Sequence, residues 1–175
     1  TATIRIDHCD FEALVGTSIG FYDAIGVADN NPWSGTATSR FANVFGAGWD
    51  GGTYGDNSWT DTNRFGTNKF IFMETNTLTY TSSNYAIVDS FRGARFVFRY
   101  NTVNRGWIEL HVTDSSQRFR GARAAEIYNN TFVGDDTNPY ILNARSGVIL
   151  VHDNTATGYT GSPLLRLSNY RNEMY

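Results

Sequence analysis

Apolar and polar residues alternate in short runs along the chain, and each run is followed by an Asn. The pattern is apolar, any, apolar, any, any, Asn, any, apolar, as in Phe96, Phe98, Asn101 and Val103. Three more copies keep this spacing: Ile71, Met73, Asn76, Leu78; Ala125, Ile127, Asn130, Phe132; and Ile149, Val151, Asn154, Ala156. Since successive side chains of a strand point to opposite faces, each apolar pair predicts a short strand with one buried face. The Asn predicts a turn, because it tolerates left-handed backbone geometry and bonds nearby amides.

The N-terminal half carries weaker copies of the pattern. One has Cys9 in the Asn position, and the next has Asn30 there and ends in Pro32. The Asn position recurs about every 25 residues, apart from the step between Asn30 and Asn76, which is nearly twice as long. We interpret this long step as two coils and expect the additional coil within residues 33–63, a Gly-rich stretch that predicts a loop-rich, irregular coil.

A longer unit also recurs, because residues 91–95 and residues 119–123 both read Phe-Arg-Gly-Ala-Arg. Units that recur with the period of one coil are typical of solenoids, in which each coil pairs with the coils above and below it. The predicted fold is therefore an all-β parallel β-helix of about seven coils, with the Asn side chains stacked in a ladder. The alternative is an antiparallel sandwich or barrel, but its hairpins would recur about every 8–12 residues.

Composition agrees with one ordered domain over residues 1–175, since 41% of the residues are apolar and 18% are charged. A net charge of −3 gives no basis for nucleic-acid binding, and the sequence contains no apolar run long enough for a membrane span. The single cysteine excludes an internal disulfide. Because the chain starts inside a predicted strand, we expect it to be a fragment or processed product of a longer protein.

Three segments, residues 4–11, 93–101 and 120–132, resemble right-handed parallel β-helix repeat proteins of the pectate-lyase-like superfamily, as found in bacteria and environmental sequences. The resemblance implies a right-handed coil. Members of the superfamily include polysaccharide lyases, glycoside hydrolases, phage tailspikes and adhesins. The resemblance therefore implies a polysaccharide partner and an extracellular, cell-surface or virion-surface location, while the fold alone does not specify a reaction.

Basic residues directly before the predicted strands suggest a cationic column along one face. Its members are Lys69, Arg95, Arg123 and Arg145, with Arg92 and Arg120 close by. Stacked guanidinium groups suit the carboxylates or sulfates of an extended acidic glycan. The alternative is that these arginines pair with acidic residues of neighbouring coils, namely Asp89, Asp114, Glu74 and Glu126.

A lyase acting on a uronic acid needs a base and a cation that neutralises the carboxylate. His111, Arg95 and Arg123 could supply this set, although His111 could equally be a turn residue that bonds the local backbone. Hydrolysis would instead use paired carboxylates, either Asp89 with Asp114 or Asp89 with Glu126. Trp107 belongs to a group of aromatic residues that could stack on sugars, the others being Trp33, Trp49, Tyr54 and Trp59.

Metal binding has little support in the sequence. Three scattered His and one Cys lack the spacing of zinc ligands, and only the loop pair Asp135 and Asp136 suggests calcium. Two hypotheses remain open. One is a β-helix that recognises an acidic polysaccharide and cleaves it as a lyase or hydrolase. The other is a non-catalytic structural or adhesive β-helix that self-associates through its coil ends or side faces.

Overall fold

The computed structural model describes residues 2–22, 24–36, 38–46, 68–81, 85–111, 121–135, 140–160 and 163–168. Within these ranges the regular structure consists of strands, eighteen of them, in three six-stranded sheets. All pairings between neighbouring strands are parallel, and each coil contributes one strand to each sheet. The predicted parallel β-helix is therefore confirmed. No helix in the described ranges is long and apolar enough to cross a membrane.

The three sheets run the length of the solenoid. Sheet A contains β1 (Ala2–Asp7), β4 (Ala24–Asp29), β7 (Ile71–Glu74), β10 (Arg95–Arg99), β13 (Ala124–Tyr128) and β16 (Val148–His152). Sheet B contains β2 (Phe11–Ala13), β5 (Pro32–Gly35), β8 (Thr77–Tyr80), β11 (Thr102–Asn104), β14 (Thr131–Val133) and β17 (Thr155–Thr157). Sheet C contains β3 (Gly16–Tyr22), β6 (Ser39–Phe45), β9 (Ala86–Phe91), β12 (Trp107–Leu110), β15 (Leu142–Ala144) and β18 (Leu165–Leu167).

The described chain forms six coils rather than about seven. β4 pairs directly with β7, with Gly26 opposite Ile71 and Asp29 opposite Glu74, so no coil lies between them. The expected extra coil within residues 33–63 is therefore wrong. The first part of that stretch holds the regular strands β5 and β6 of the second coil, and residues 47–67 lie outside the described ranges.

The predicted Asn ladder is present and connects five coils through Asn31, Asn76, Asn101, Asn130 and Asn154. From Asn76 onward, each Asn Oδ1 accepts two hydrogen bonds, from the backbone N–H and the Nδ2 of the Asn in the preceding coil, over 2.9–3.1 Å. In the first coil the Cys9 N–H donates to the Oδ1 of Asn31 over 3.0 Å. The prediction was wrong by one residue in the second coil, where Asn31 and not Asn30 occupies the ladder.

The left-handed residue of each turn precedes the ladder position. His8, Asn30, Thr75, Tyr100, Asn129 and Asp153 all have φ between 52° and 58°. The expectation that the ladder Asn itself takes left-handed geometry is therefore wrong. The preceding residue makes the bend, and this leaves the Asn side chain pointing into the solenoid, where it satisfies buried backbone groups.

The core is the column of side chains that the alternating pattern placed inward. Ile71, Met73, Leu78, Phe96 and Phe98 are all 0% exposed. Sheet C contributes buried residues to the same core, among them Val88, Ile108 and Leu110. Since the inward positions alternate with outward ones, the residues between them in each strand form straight rows on the outer faces of the sheets.

Candidate functional site

The outer face of sheet C carries a row of polar side chains, one from each of five consecutive coils. We call it the polar row. Strand register aligns its members across β6, β9, β12, β15 and β18: Asn43, Asp89, Glu109, Asn143 and Arg166. Carboxylates and amides at about 4.8 Å spacing on one sheet face are costly unless they are paired, so their partners determine what this face can do.

Two rows of rings flank the polar row. In the stacked row, Tyr22, Phe45, Phe91 and His111 follow one another with ring centroids 4.6, 5.2 and 4.7 Å apart and planes within 20°. The aromatic row consists of Tyr85, Trp107 and Tyr140, with centroids 5.8 and 5.3 Å apart. The guanidinium of Arg40 lies 4.6 Å from the Tyr85 ring centroid and extends this row by one coil.

The two carboxylates of the polar row are nearly inaccessible and ion-paired. The Asp89 side chain is 1% exposed, and its oxygens lie 3.2 Å from Arg40 NH2 and 3.1 Å from His111 Nε2. The Glu109 side chain is 8% exposed and lies 2.8 Å from Arg145 NH2. Arg40 and Arg145 thus come from coils on either side of the two carboxylates, so the charges are compensated between coils.

Neutral donors complete the surroundings of Glu109. The Nδ2 of Asn143 donates to both carboxylate oxygens over 3.0 Å, and the indole Nε1 of Trp107 donates to Oε2 over 3.1 Å. Glu109 therefore fixes the orientation of Trp107 from within the neighbouring row.

His111 has both ring nitrogens engaged. Arg145 NH2 lies 2.5 Å from Nδ1, and a guanidinium can only donate, so Nδ1 must be the acceptor. The other ring nitrogen, Nε2, lies 3.1 Å from Asp89 Oδ1. The lone pair of His111 Nδ1 is therefore occupied by Arg145. Its backbone oxygen accepts hydrogen bonds from the Ala122 N–H over 2.9 Å and from the Ser146 hydroxyl.

The structure brings together four of the residues singled out from the sequence, His111, Asp89, Trp107 and Arg145. It adds residues that sequence reasoning did not select for a site, chiefly Glu109, Arg40 and Asn143. The sequence does contain a signal for them. At the end of each of four sheet C strands, a polar residue is followed by an apolar residue and then by a ring or a cation. The four copies are Asn43-Val44-Phe45, Asp89-Ser90-Phe91, Glu109-Leu110-His111 and Asn143-Ala144-Arg145. In the second of these, Ser90 takes the apolar position.

The cationic column does not form as expected. The pairing of β10 with β13 places Arg95 opposite Ala124 and not opposite Arg123. Arg95 and Arg123 thus occupy successive positions of the coil, and a shift of one residue moves a side chain to the other face. Arg123 is 1% exposed, Lys69 is exposed, and Arg145 lies beside His111 in the sheet C network.

Arg92, Asp114 and Arg120 are the remaining predicted site residues. Arg92 is half-buried in the turn after β9, with φ of 54°, whereas Asp114 and Arg120 lie outside the described residues. Trp33, from the group of aromatic residues considered for sugar stacking, is 2% exposed within the core and cannot stack on a ligand.

In the part of the chain that the structure describes, no group of three or more His, Cys, Asp or Glu side chains could hold a metal ion. Asp135, one half of the suggested calcium pair, lies 3.2 Å from Arg105 Nε. Asp136, the other half, is outside the described ranges.

Sheet A shows the cross-coil pairing that the alternative interpretation of the arginines anticipated. Arg99 Nε lies 2.6 Å from Glu74 Oε2, and its NH1 donates to the Tyr128 hydroxyl over 2.7 Å. Burial lowers the pKa of Arg99, but the hydrogen bonds to Tyr128 and Glu74 outweigh it, so the pKa is raised overall. Arg5 similarly pairs with Asp29 of the next coil over 3.3 Å.

Comparison with known proteins yields no relatives from which to transfer a function: no family model, curated protein or solved structure matches the chain.

Proposed function

We propose that the outer face of sheet C binds an extended polysaccharide without cleaving it. We further propose that the chain is a pectate-lyase-like β-helix module that acts outside the cell or on a cell or virion surface. The observation that carries the proposal is the aromatic row Tyr85, Trp107 and Tyr140, which runs straight beside a hydrogen-bonding polar row.

Binding is supported by the chemistry of the two rows. Aromatic rings stack on the apolar faces of sugars, and flanking polar groups select hydroxyls and carboxylates. Tyr85 is 38% exposed, and the Arg40 and Arg145 side chains are 23% and 20% exposed. Ligand can therefore reach a ring and two guanidinium groups on this face.

The absence of turnover is proposed from the contacts of His111 and from the burial of Asp89 and Glu109. A lyase base must present a lone pair to the sugar C5 proton, yet the Nδ1 of His111 accepts from Arg145 and Nε2 lies 3.1 Å from the buried Asp89 carboxylate. A hydrolase needs two carboxylates that reach the glycosidic bond, yet those of Asp89 and Glu109 are 1% and 8% exposed and already paired.

A purely structural β-helix is the second candidate. The pairs Arg99–Glu74 and Arg5–Asp29 favour it, because they compensate charge between coils of sheet A, outside the proposed binding face. The two candidates differ in the aromatic row, which a structural module does not need on an outer face.

The test is affinity electrophoresis of the protein through gels containing acidic or neutral polysaccharides. Retardation that Trp107→Ala weakens, and that Tyr100→Ala leaves unchanged, is the expected result. Tyr100 is the matched control because it is 50% exposed at the end of a sheet A strand. Migration that no polysaccharide alters would favour the structural candidate.

Turnover is tested in the same samples by absorbance near 235 nm, which detects unsaturated uronates, and by a reducing-end assay. We expect neither signal to change. An increase in either signal that Glu109→Gln or His111→Ala abolishes would replace the binding proposal with catalysis on this face.

A further inference from the structure

We propose that the outer face of sheet B binds the surface of ice crystals. The inference is independent of the proposed function, because sheet B and sheet C are different faces of the solenoid. Three properties of one row of side chains lead to it, namely their register, their chemistry and their rigidity. We call it the threonine row, and its members come from four consecutive coils: Thr77, Thr102, Thr131 and Thr155.

The threonine row repeats once per coil without a shift of register. Each member is the direct pairing partner of the next. The backbone N–H groups of Thr102, Thr131 and Thr155 each donate to the carbonyl of the ladder Asn in the preceding coil, in every case over 2.9 Å. Before Thr77 the position is taken by Pro32, so the row begins at the third coil. Its members are therefore evenly spaced at about 4.8 Å.

A second row lies two residues further along the same strands and faces the same way, since alternate residues of a strand share a face. Three of its members carry a hydroxyl, one carries an amide and one carries two methyl groups. Two residues of a strand advance by about 6.6 Å, so the outer face of sheet B repeats in two perpendicular directions. The members of the second row are Ser34, Thr79, Asn104, Val133 and Thr157.

The face is accessible and uncharged. Thr77, Thr131 and Thr155 are exposed. Asp, Glu, Lys and Arg are absent from β5, β8, β11, β14 and β17, and the two aromatic residues of these strands, Trp33 and Tyr80, are buried. A charged ligand finds no counter-charge on these strands, and a sugar finds no ring to stack on. The chemistry therefore fits a ligand that is neutral, flat and periodic.

The side chains of the threonine row are held in place before any ligand arrives. Each row member directly follows an Asn of the ladder, whose amides are hydrogen-bonded from coil to coil over 2.9–3.1 Å. Leu78, Val103 and Phe132, all 0% exposed, support the face from the interior between the two rows. The branched Cβ of Thr further restricts χ1. Little conformational entropy is therefore lost when the row engages a surface.

Ice presents a surface of this kind. On the prism faces of hexagonal ice, oxygen atoms repeat at close to the strand spacing in one direction and at close to the length of two strand residues in the other. A Thr hydroxyl both donates and accepts hydrogen bonds, as a lattice water does, while its methyl group orders the water beside it. Many weak contacts that form in register add up to firm adsorption, so the whole row forms the site.

The experiment grows an ice hemisphere from a dilute solution of the protein, labelled with a fluorophore at its amino terminus, and measures the protein taken up into the ice. We expect uptake, and we expect Thr131→Lys to lower it about tenfold, because an ammonium group in the middle of the row keeps the face away from the lattice. Thr155→Lys tests a second exposed position of the row and should also lower uptake.

Leu150→Lys is the matched control. Leu150 is 44% exposed on the outer face of sheet A, so this variant adds the same charge to a different face and should retain the uptake of the parent protein. Circular dichroism and the urea midpoint show which variants are folded, and only folded variants are compared.

Uptake of the parent protein no greater than that of an unrelated protein of similar size would overturn the inference, as would equal uptake of the parent and both row variants. Exclusion from ice, together with sedimentation on crystalline cellulose or chitin that Thr131→Lys abolishes, would reassign the face to a polymer surface. The proposed function is tested separately, because polysaccharide binding that depends on Trp107 is expected to be the same in Thr131→Lys and in the parent.

Discussion

The backbone N–H and the side-chain Nδ2 of Asn76 both donate to a single atom, Oδ1 of Asn101, over 2.9 and 3.0 Å. The amide of Asn101 in turn donates to the Met73 carbonyl and to Asn130 Oδ1 over 2.9 and 3.1 Å, so one side chain makes four hydrogen bonds in the interior. Truncation removes these hydrogen bonds from a buried region of the solenoid, where water does not replace them.

We therefore predict that Asn101→Ala lowers the free energy of unfolding by about 3 kcal/mol or more. Urea denaturation followed by circular dichroism measures the change. Asn104→Ala is the matched control, because the side chain of half-buried Asn104 donates, among the described residues, only to the Thr79 hydroxyl, so the substitution should cost about 1 kcal/mol or less. Equal losses for the two variants would contradict the role assigned to the ladder.

Gly26 is expected to be required for docking the first coil. Its φ is 137°, and a Cβ at this position would lie 1.9 Å from the Ile4 carbonyl oxygen in the paired strand β1. Gly26→Ala should therefore separate β1 from β4 and cost about 3 kcal/mol.

Hydrogen exchange resolved by residue is the appropriate measurement, since the loss should be confined to the first coil. Amides of residues 3–7 should lose protection, while those of β13 keep theirs. Gly16→Ala is the control: Gly16 has φ of 78° but no atom within 4 Å of the added Cβ, so only backbone strain of about 1 kcal/mol applies.

The Arg40–Asp89 pair should be strongly coupled, because Asp89 is 1% exposed. Arg40→Met alone leaves a buried carboxylate with less compensation, and we predict a cost of about 3 kcal/mol. Asp89→Asn removes the buried carboxylate that Arg40 compensates. The double variant should therefore lose less stability than the sum of the two single losses, by about 1 kcal/mol or more.

The double-mutant cycle is measured by chemical denaturation at neutral pH. Arg105→Met supplies the comparison, since the Arg105 and Asp135 side chains are 40% and 39% exposed and their pair should contribute about 0.5 kcal/mol. Additive losses of stability at Arg40 and Asp89 would show that the two side chains do not stabilise each other.

Tyr80 makes stability depend on alkaline pH. Its ring is 1% exposed, its hydroxyl donates to the carbonyls of Ser39 and Ala86, and burial raises its pKa well above the ordinary value. The unfolded chain loses this proton near pH 10 while the folded chain keeps it. The stabilisation is therefore complete below about pH 10 and is lost as pH rises towards the folded pKa, by about 1.4 kcal/mol per pH unit.

Denaturation at pH 8, 9, 10 and 11 should show this loss in the parent protein and a smaller loss in Tyr80→Phe. Burial also raises the pKa of Tyr159, so Tyr159 accounts for part of the slope that remains in Tyr80→Phe. Exposed Tyr100 provides the control, as Tyr100→Phe should retain the parent slope. A slope in Tyr80→Phe equal to that of the parent would contradict the assignment.

The inward positions of the coil could be predicted from the sequence because they depend on local alternation. Phe96 and Phe98 precede Asn101 at the same spacing as Ala125 and Ile127 precede Asn130, and all six are buried. Each coil repeats the same environment, so a residue type that suits a position once suits it again in the next coil.

Register could not be predicted in the same way. Asn30 and Asn31 are adjacent and chemically identical, and only the pairing of β4 with β7 decides that Asn31 faces Asn76. Aligning the two Phe-Arg-Gly-Ala-Arg units would place Arg95 beside Arg123, yet the strands pair one position further on and separate these two side chains. Sequence identity between two segments does not reveal which residues hydrogen-bond across a sheet.

By itself, the sequence determined the coil of this protein: its parallel strands, its buried columns and its Asn ladder. These follow from side-chain alternation and turn chemistry within about 25 residues. Only the tertiary structure decided the candidate site, because Asp89, Glu109 and Arg145 come from three successive coils and meet through strand pairing. Pairing between coils depends on how the whole solenoid stacks, and no single stretch of sequence contains that information.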